Sequence, residues 1–495
     1  MRKIGFDHNK YIKTQSEQIE KRIKEFGGKL YLEFGGKLFD DHHASRVLPG
    51  FEPDSKVKML QKMADDVEIV IVINAEDIEN NRMRNGIGIT YDLDVLRLID
   101  EFRGIGLYVG SVVISHYRNQ ASAQIFKNKL EMLGMKVYLH YPIDGYPYNV
   151  DHIVSDEGYG RNDYIITDRP LVIVTAPGAG SGKMATCLSQ LYHENKHGIK
   201  AGYAKYETFP IWNLPLKHPV NIAYEAATAD LNDVNMIDPY HLEAYGKTAV
   251  NYNRDVEIFP VLNAIFNKIS GESPYKSPTD MGVNMAGYCI TDNDIVSKAA
   301  HDEIIRRYFN TMCDRRRGNV TSNAVEKIEL LMKQAHLTTD DRNVVSAAIK
   351  RSDETGKQPA VAIELPDGEI ITGKTSDLLG AASAALLNSI KALGNIDKEM
   401  LLIAREAIEP IQKLKVDILG NRNPRLHTDE ALIALSISAV YDDAPKCAVD
   451  QLSKLYGCEA HSTVMLSQVD EDVFRKLGIN LTCEPYYQIK RLYHK

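Results

Sequence analysis

Short apolar runs with almost no polar alternation recur along the first half of the chain, at 68–73, 107–114, 136–140, 171–174 and 220–223. Strands that read this way are covered on both faces, because a strand with one wet face alternates instead. Between the runs, 92–102 and 122–133 place apolar residues three and four apart behind acidic or hydroxyl starts, which predicts helices. The rhythm from 1 to 235 is that of a doubly wound, mostly parallel α/β sheet. Ahead of it, 29–39 predicts a small hairpin turning at Gly35-Gly36. From about 240 to 350 helical spacing dominates, most clearly at 297–309 and 323–336, and no strand is predicted. The last third opens with a hairpin, 360–365 and 369–372 around Pro366-Asp367-Gly368, and continues into a small-residue helix over 377–393. The expected organisation is an α/β domain over 1–235, a mainly helical extension over 236–344, and a smaller α+β domain over 345–495.

Composition narrows the partners more than the fold. The 495 residues are 44% hydrophobic and 25% charged, ordinary globular material with enough chain for several cores. A net charge of -8 gives no broad attraction to nucleic acid or to an anionic membrane, and Arg315-Arg316-Arg317 is the main basic cluster. No apolar stretch approaches the roughly 20 residues that cross a bilayer, and Met1-Arg2-Lys3 does not lead into a signal-peptide core, so a cytoplasmic protein is expected. The six cysteines form no Cys-x-x-Cys pair, which argues against a structural zinc site or a disulfide framework.

One segment carries specific chemistry. The run 175–186 follows the apolar stretch 171–174, contains Gly178, Ala179, Gly180, Ser181, Gly182 and Lys183, and leads into a helical pattern. A buried strand, a flexible turn and a helix N-terminus together gather free N–H groups and the positive end of the helix dipole, the arrangement that a phosphate needs. The match to a P-loop is incomplete: Pro177 stands where the first Gly belongs and Met184 where the Mg²⁺-binding hydroxyl belongs. Any Mg²⁺ is then expected to rely on Thr186, Ser181, a carboxylate elsewhere, or the phosphates. The alternative is a plain strand-to-helix turn, although a turn selected only for geometry needs no lysine at its centre.

Other candidates lie at predicted strand ends, where ligands gather in doubly wound folds. Arg118 in 115–120, and Arg82 and Arg84 in 79–86, can reach an anion; a polar surface loop is the plain alternative for each. Glu225 and Asp230 after 220–224, and Glu76 or Asp77 after 69–73, are candidate carboxylates. Lys205 and Glu207, in 204–208 and expected just after the strand that follows the glycine loop, are either substrate contacts or an exposed ion pair. Asp40, Asp41, His42, His43 and Arg46 offer metal- or phosphate-binding side chains, but adjacent ligands in a strand face opposite sides, and a solvated loop is the simpler reading. No Gly-x-Ser-x-Gly elbow and no His-Glu-x-x-His motif is present.

The opening 5–11, the run 35–46, the loop 177–184 and the hairpin 365–374 together resemble, across essentially the full chain, a bacterial family of uncharacterised proteins. That family is a domain of unknown function with its own C-terminal domain, and some members carry the label ATP-dependent peptidase. The resemblance implies a bacterial cytosolic protein in two parts and brings no catalytic residues. From the residues themselves, a Rossmann-like or P-loop-like sheet with a degenerate phosphate loop is expected to serve a nucleotide-dependent enzyme, carrying out phosphoryl transfer or ATP-driven ligation on a small molecule. Lys183 would neutralise the transferred phosphoryl, Thr186 or Asp230 would help to hold Mg²⁺, and Arg118 would orient the acceptor. Two alternatives stand beside it: a regulatory protein that binds a nucleotide or phosphorylated metabolite without hydrolysing it, and a dinucleotide oxidoreductase, whose third fingerprint Gly would fall at Lys183. The small-residue stretch 380–385 would serve either a homo-oligomer or packing within one chain.

Overall fold

A computed structural model describes residues 3–35, 38–39, 42–84, 88–231 and 233–488. The chain divides into two compact units, one of residues 4–225 and 232–300, the other of 1–3, 226–231 and 301–495.

The first unit is built on a seven-stranded sheet in which every pairing is parallel. Its strands are β1 (Leu30–Phe34), β2 (Val67–Asn74), β3 (Tyr108–Ser115), β4 (Lys136–Leu139), β5 (Leu171–Thr175), β6 (Gly202–Tyr206) and, after the small antiparallel pair β7 (Asn235–Ile237) and β8 (Val250–Tyr252), β9 (Gly282–Val283). Their order is β4-β3-β2-β5-β1-β6-β9. Side-chain parity divides the core. Leu30, Leu32, Ile69, Ile71, Ile73, Leu171 and Ile173 bury one face beneath helices that include Tyr91–Gly104 and Ala121–Met132. Tyr31, Val70, Val72, Val172, Val174 and Tyr203 bury the other beneath Lys183–Lys196 and Asn253–Ser270. Covering both faces is the reason the strands read as unbroken apolar runs.

Three sequence expectations change. The run 220–223 is not a strand but part of the helix Pro219–Ala227; the strand that follows the glycine loop is β6, and Lys205 lies within it rather than after it. The segment 29–39 is not a hairpin, since β1 lies between β5 and β6 and pairs with both in parallel; Gly36 lies outside the described residues. The middle segment does contain strands, and β9 extends the main sheet.

The second unit holds the expected hairpin, β10 (Ala360–Glu364) antiparallel to β11 (Ile370–Lys374), extended by β12 (Glu459–Ser462) and β13 (Asn480–Cys483) in the order β11-β10-β12-β13. The small-residue helix Ala381–Leu393 lies on this hairpin so closely that a side chain at Gly373 would overlap the Ala385 backbone. The alanine face is therefore buried within the unit. No helix among the described residues is long and apolar enough to cross a membrane.

Candidate functional site

In the strand order, the connections leave β2 toward β3 and β5 toward β6, in opposite directions, so the carboxyl ends of β2 and β5 flank a topological switch point. The glycine loop begins there, directly after Thr175. Gly180 and Gly182 adopt left-handed φ angles of 79° and 86°, and Gly182 is the N-cap of Lys183–Lys196. Both positions need glycine, because a Cβ disfavours this region.

The loop's carbonyls face protein and its amides do not. Ser115, at the end of β3, donates its hydroxyl to Ser181 O at 2.7 Å, and Ser181 donates its own to Gly178 O at 2.6 Å. Asn74 and Arg82 approach Gly180 O and Ala179 O, each at 3.5 Å. In contrast, the backbone N–H groups of 178–185 find no protein acceptor among the described residues; the first amide with a partner is that of Thr186, bonded to Gly182 O. Eight consecutive donors without a protein acceptor among the described residues, at the start of a fourteen-residue helix, gather positive potential at one place. Lys183 opens that helix as a half-buried cation. Thr186 is buried, and its hydroxyl has no partner among the described residues.

Loops after β2 and β3 wall the site. Arg82 pairs with Asp77 at 3.0 Å and lies over the Tyr91 ring, 5.0 Å from its centroid. The Tyr91 hydroxyl fills the space that a Cβ at Gly178 would need, which explains that glycine. His116 and Asn119 have positive φ, 53° and 63°, conformations that non-glycine residues adopt at a cost and that concentrate at functional sites. A Cβ at Gly182 would stand 3.2 Å from Ser115 Oγ and 3.7 Å from His116 Cε1, so the β3 loop and the glycine loop touch. Arg118 lies in the β3 loop, exposed and without an ion pair among the described residues.

Other predicted residues lie elsewhere. Arg84 pairs with the buried Asp94. Asp230 belongs to the short turn Ala229–Leu231, which groups with the second unit; the loop's own unit does not contain it. Glu225 sits in a helix and accepts from the Asn235 amide at 3.2 Å. Asp40 and Asp41 lie outside the described residues. His42 and His43 begin the short helix His42–Val47 rather than a loop or strand, with the His43 ring 5.2 Å from that of Phe209. Among the described residues, no group of three or more His, Cys, Asp or Glu is arranged to hold a metal ion. Lys205 and Glu207 form a pair at 2.7 Å, but their side chains are only 11% and 13% exposed, so it is not a surface pair. Sequence reasoning missed Ser115 as the loop's anchor and Tyr91 as its wall.

Comparison with known proteins places the whole chain. Residues 4–336 match the family model described as Domain of unknown function DUF1846, N-terminal, and 340–493 match Domain of unknown function DUF1846, C-terminal. UPF0371 proteins of Streptococcus pyogenes serotype M5, Streptococcus thermophilus and Streptococcus uberis are 56%, 57% and 57% identical over 495 residues, covering all of both chains. The chain belongs to this family.

Proposed function

We propose that this member of the family binds the phosphate of a small phosphorylated ligand or nucleotide on the glycine loop, and uses that hold for phosphoryl transfer or ATP-driven ligation. The observation that carries the reading is the run of eight backbone donors, 178–185, left without protein acceptors at a helix N-terminus beside the switch point. A loop that served only as a turn would spend its amides on its own carbonyls or on neighbouring side chains. Here the surrounding side chains take up the carbonyls instead. Lys183 supplies a full charge next to the partial charges of the amides, and Arg118 and Arg82 stand on the adjoining loops. In phosphoryl transfer such groups act by position and by stabilising charge as it develops, which requires no covalent step from the protein.

Met184 favours a second reading, binding without turnover. Its thioether replaces the hydroxyl that would hold Mg²⁺ in a P-loop, and Thr186, the nearest threonine of the helix, sits two residues further on. Thermal-shift and calorimetric titration with ATP, GTP, NAD and pyrophosphate, with and without Mg²⁺, tests both. Saturable stabilisation by a phosphate ligand is expected, weakened ten- to a hundredfold in Lys183→Ala with the fold unchanged. Nucleotide consumption then separates enzyme from binding protein. Equal binding by wild type and Lys183→Ala, or none by either, overturns the assignment of the loop.

A further inference from the structure

The loop after β3 sets a histidine against the glycine loop, and its hydrogen bonds assign the ring's proton to one nitrogen. Ser115 is buried and spends its single hydroxyl hydrogen on Ser181 O at 2.7 Å. His116 Nδ1 lies 3.2 Å from the same Oγ. With its hydrogen committed, that oxygen can only accept, so Nδ1 donates and the neutral ring keeps its lone pair on Nε2. Among the described residues Nε2 has no hydrogen-bond partner.

The ring lies beside the helix N-terminus. Its Cε1, which is bonded to Nε2, is the His116 atom nearest Gly182, 3.7 Å from the point where a Cβ of that glycine would stand. The edge that carries both nitrogens is thus next to the residue that caps Lys183–Lys196, where the amides of 178–185 are without acceptors. His116 holds a φ of 53°, and Gln120 closes the turn around it, accepting from the Arg118 amide at 2.7 Å and donating to His116 O at 3.2 Å. Strain of this kind persists where the surroundings over-determine it. Thr186 points to a ligand independently. It is 1% exposed, its hydroxyl has no partner among the described residues, and it lies one turn inside the helix, where Cα–Cβ bonds tilt toward the N-terminus.

A bare Nε2 beside a bound phosphate sets lone pair against lone pair unless a hydrogen stands between them. A fully ionised phosphate brings none, whereas an attacking hydroxyl brings one. We infer that His116 is the general base of this site and that the phosphoryl acceptor is a hydroxyl compound. This rests on the phosphate reading above, adds the chemical class of the acceptor, and selects phosphoryl transfer over ligation through a carboxylate. Nε2 takes the hydroxyl proton as the acceptor oxygen bonds to the terminal phosphorus of a nucleoside triphosphate and the bond from that phosphorus to the diphosphate oxygen breaks. The products are a phosphate ester, a nucleoside diphosphate and a proton, which His116 returns to solvent. A carboxylate acceptor carries no proton at neutral pH and leaves Nε2 without a task.

Two measurements on the full chain test it. In spectra of ¹⁵N-histidine-labelled protein, the signal lost in His116→Asn is expected to show Nδ1–H and a bare Nε2; asparagine tolerates the positive φ and preserves the turn. Ser115→Ala removes the acceptor and should shift the same ring toward Nε2–H, which also assigns the signal should the asparagine variant fail to fold. An Nε2–H ring in the wild type overturns the inference. The second measurement is transfer from ATP with Mg²⁺ to water, glycerol, ribose and glucose, set against acetate and glutamate. At least one hydroxyl acceptor is expected to take the phosphoryl group, about a hundredfold more slowly in His116→Asn, while pyrophosphate affinity in calorimetry stays within about threefold. Equal rates in the two proteins, transfer confined to the carboxylates, or no consumption of ATP overturns the inference and leaves the loop assignment standing wherever pyrophosphate still binds. Failure of the wild type to bind pyrophosphate removes the loop assignment, and this inference with it.

Discussion

Gly182 shows how much a single position contributes. Its φ of 86° turns the chain from loop into helix, and a Cβ there would press on Ser115 Oγ. Gly182→Ala is expected to cost about 1–2 kcal/mol in stability and to weaken pyrophosphate binding at least tenfold by rotating the amides that follow. A variant with normal affinity in calorimetry and only a lowered melting temperature would dissociate the loop's geometry from binding. The glycine spacing and the lysine were legible in the sequence because the reason for them is local, a turn that must clear its own Cβ atoms. Ser115 and Tyr91 were not, since each matters through a partner in another element. Lys205 illustrates the same gap: its spacing to Glu207 suggested a surface pair, and only the arrival of Asp255 and Tyr252 from a distant segment makes it a buried centre.

At the scale of elements, legibility followed burial. Strands β2, β3 and β5 are apolar on both faces and were readable, and the helices 91–104 and 121–132 announced themselves by amphipathic spacing. Strand β6 was expected to end before Lys205 but runs through it, because its burial is partly aromatic and charged: Tyr203, Lys205 and Tyr206. The four-residue apolar run 220–223 is too short for periodicity to separate strand from helix, and Pro219 at the helix start was the overlooked signal. Gly35-Gly36 suggested a hairpin, but β1 instead pairs on both edges with strands far along the chain, information that no local window holds. Strand β6 also carries a glycine whose role is close packing. A methyl at Gly202 would run into the Phe26 ring, so Gly202→Ala is expected to lower stability by about 1–3 kcal/mol, read from chemical denaturation, with phosphate binding retained.

Across the molecule, each unit combines an apolar core with buried charges. The first depends on a doubly covered apolar sheet with a buried centre at Lys205, while the second, on a smaller sheet, buries an arginine–glutamate network. Arg342 donates to Glu459 at 2.8 Å, to Asn480 O at 2.8 Å and to Ala460 O at 3.0 Å, and Arg306 reaches Glu459 at 2.7 Å. Burial pushes the Glu459 pKa up, but the two arginines outweigh it and hold the carboxyl at about 2. Glu459→Gln leaves both guanidiniums without their shared counter-charge and is expected to cost about 3–5 kcal/mol, seen as early loss of the second unit in denaturant; an unchanged midpoint would contradict it. The same unit carries a pH-dependent pair, His427 Nδ1 and Asp470 Oδ2 at 3.0 Å. The hydrogen bond to Asp470 raises the His427 pKa against the effect of burial. Burial raises the Asp470 pKa, but bonding to His427, Thr428 and Ser467 brings it below the ordinary value. The histidine's contribution is therefore complete below its unfolded value of about 6.5 and fades as pH rises through the higher folded value; the aspartate's is complete above about 3.9 and fades as pH falls. Unfolding midpoints should decline between about pH 6 and 8 by less than about 1 kcal/mol, and His427→Gln should flatten that decline. The account as a whole turns on the amides of the glycine loop. Its most direct test is the amide spectrum of the full chain labelled with ¹⁵N-glycine and titrated with pyrophosphate, with Gly178, Gly180 and Gly182 assigned by substitution. Saturable shifts of these three resonances, absent in Lys183→Ala, are predicted; pyrophosphate that binds without moving them, or does not bind at all, contradicts the account.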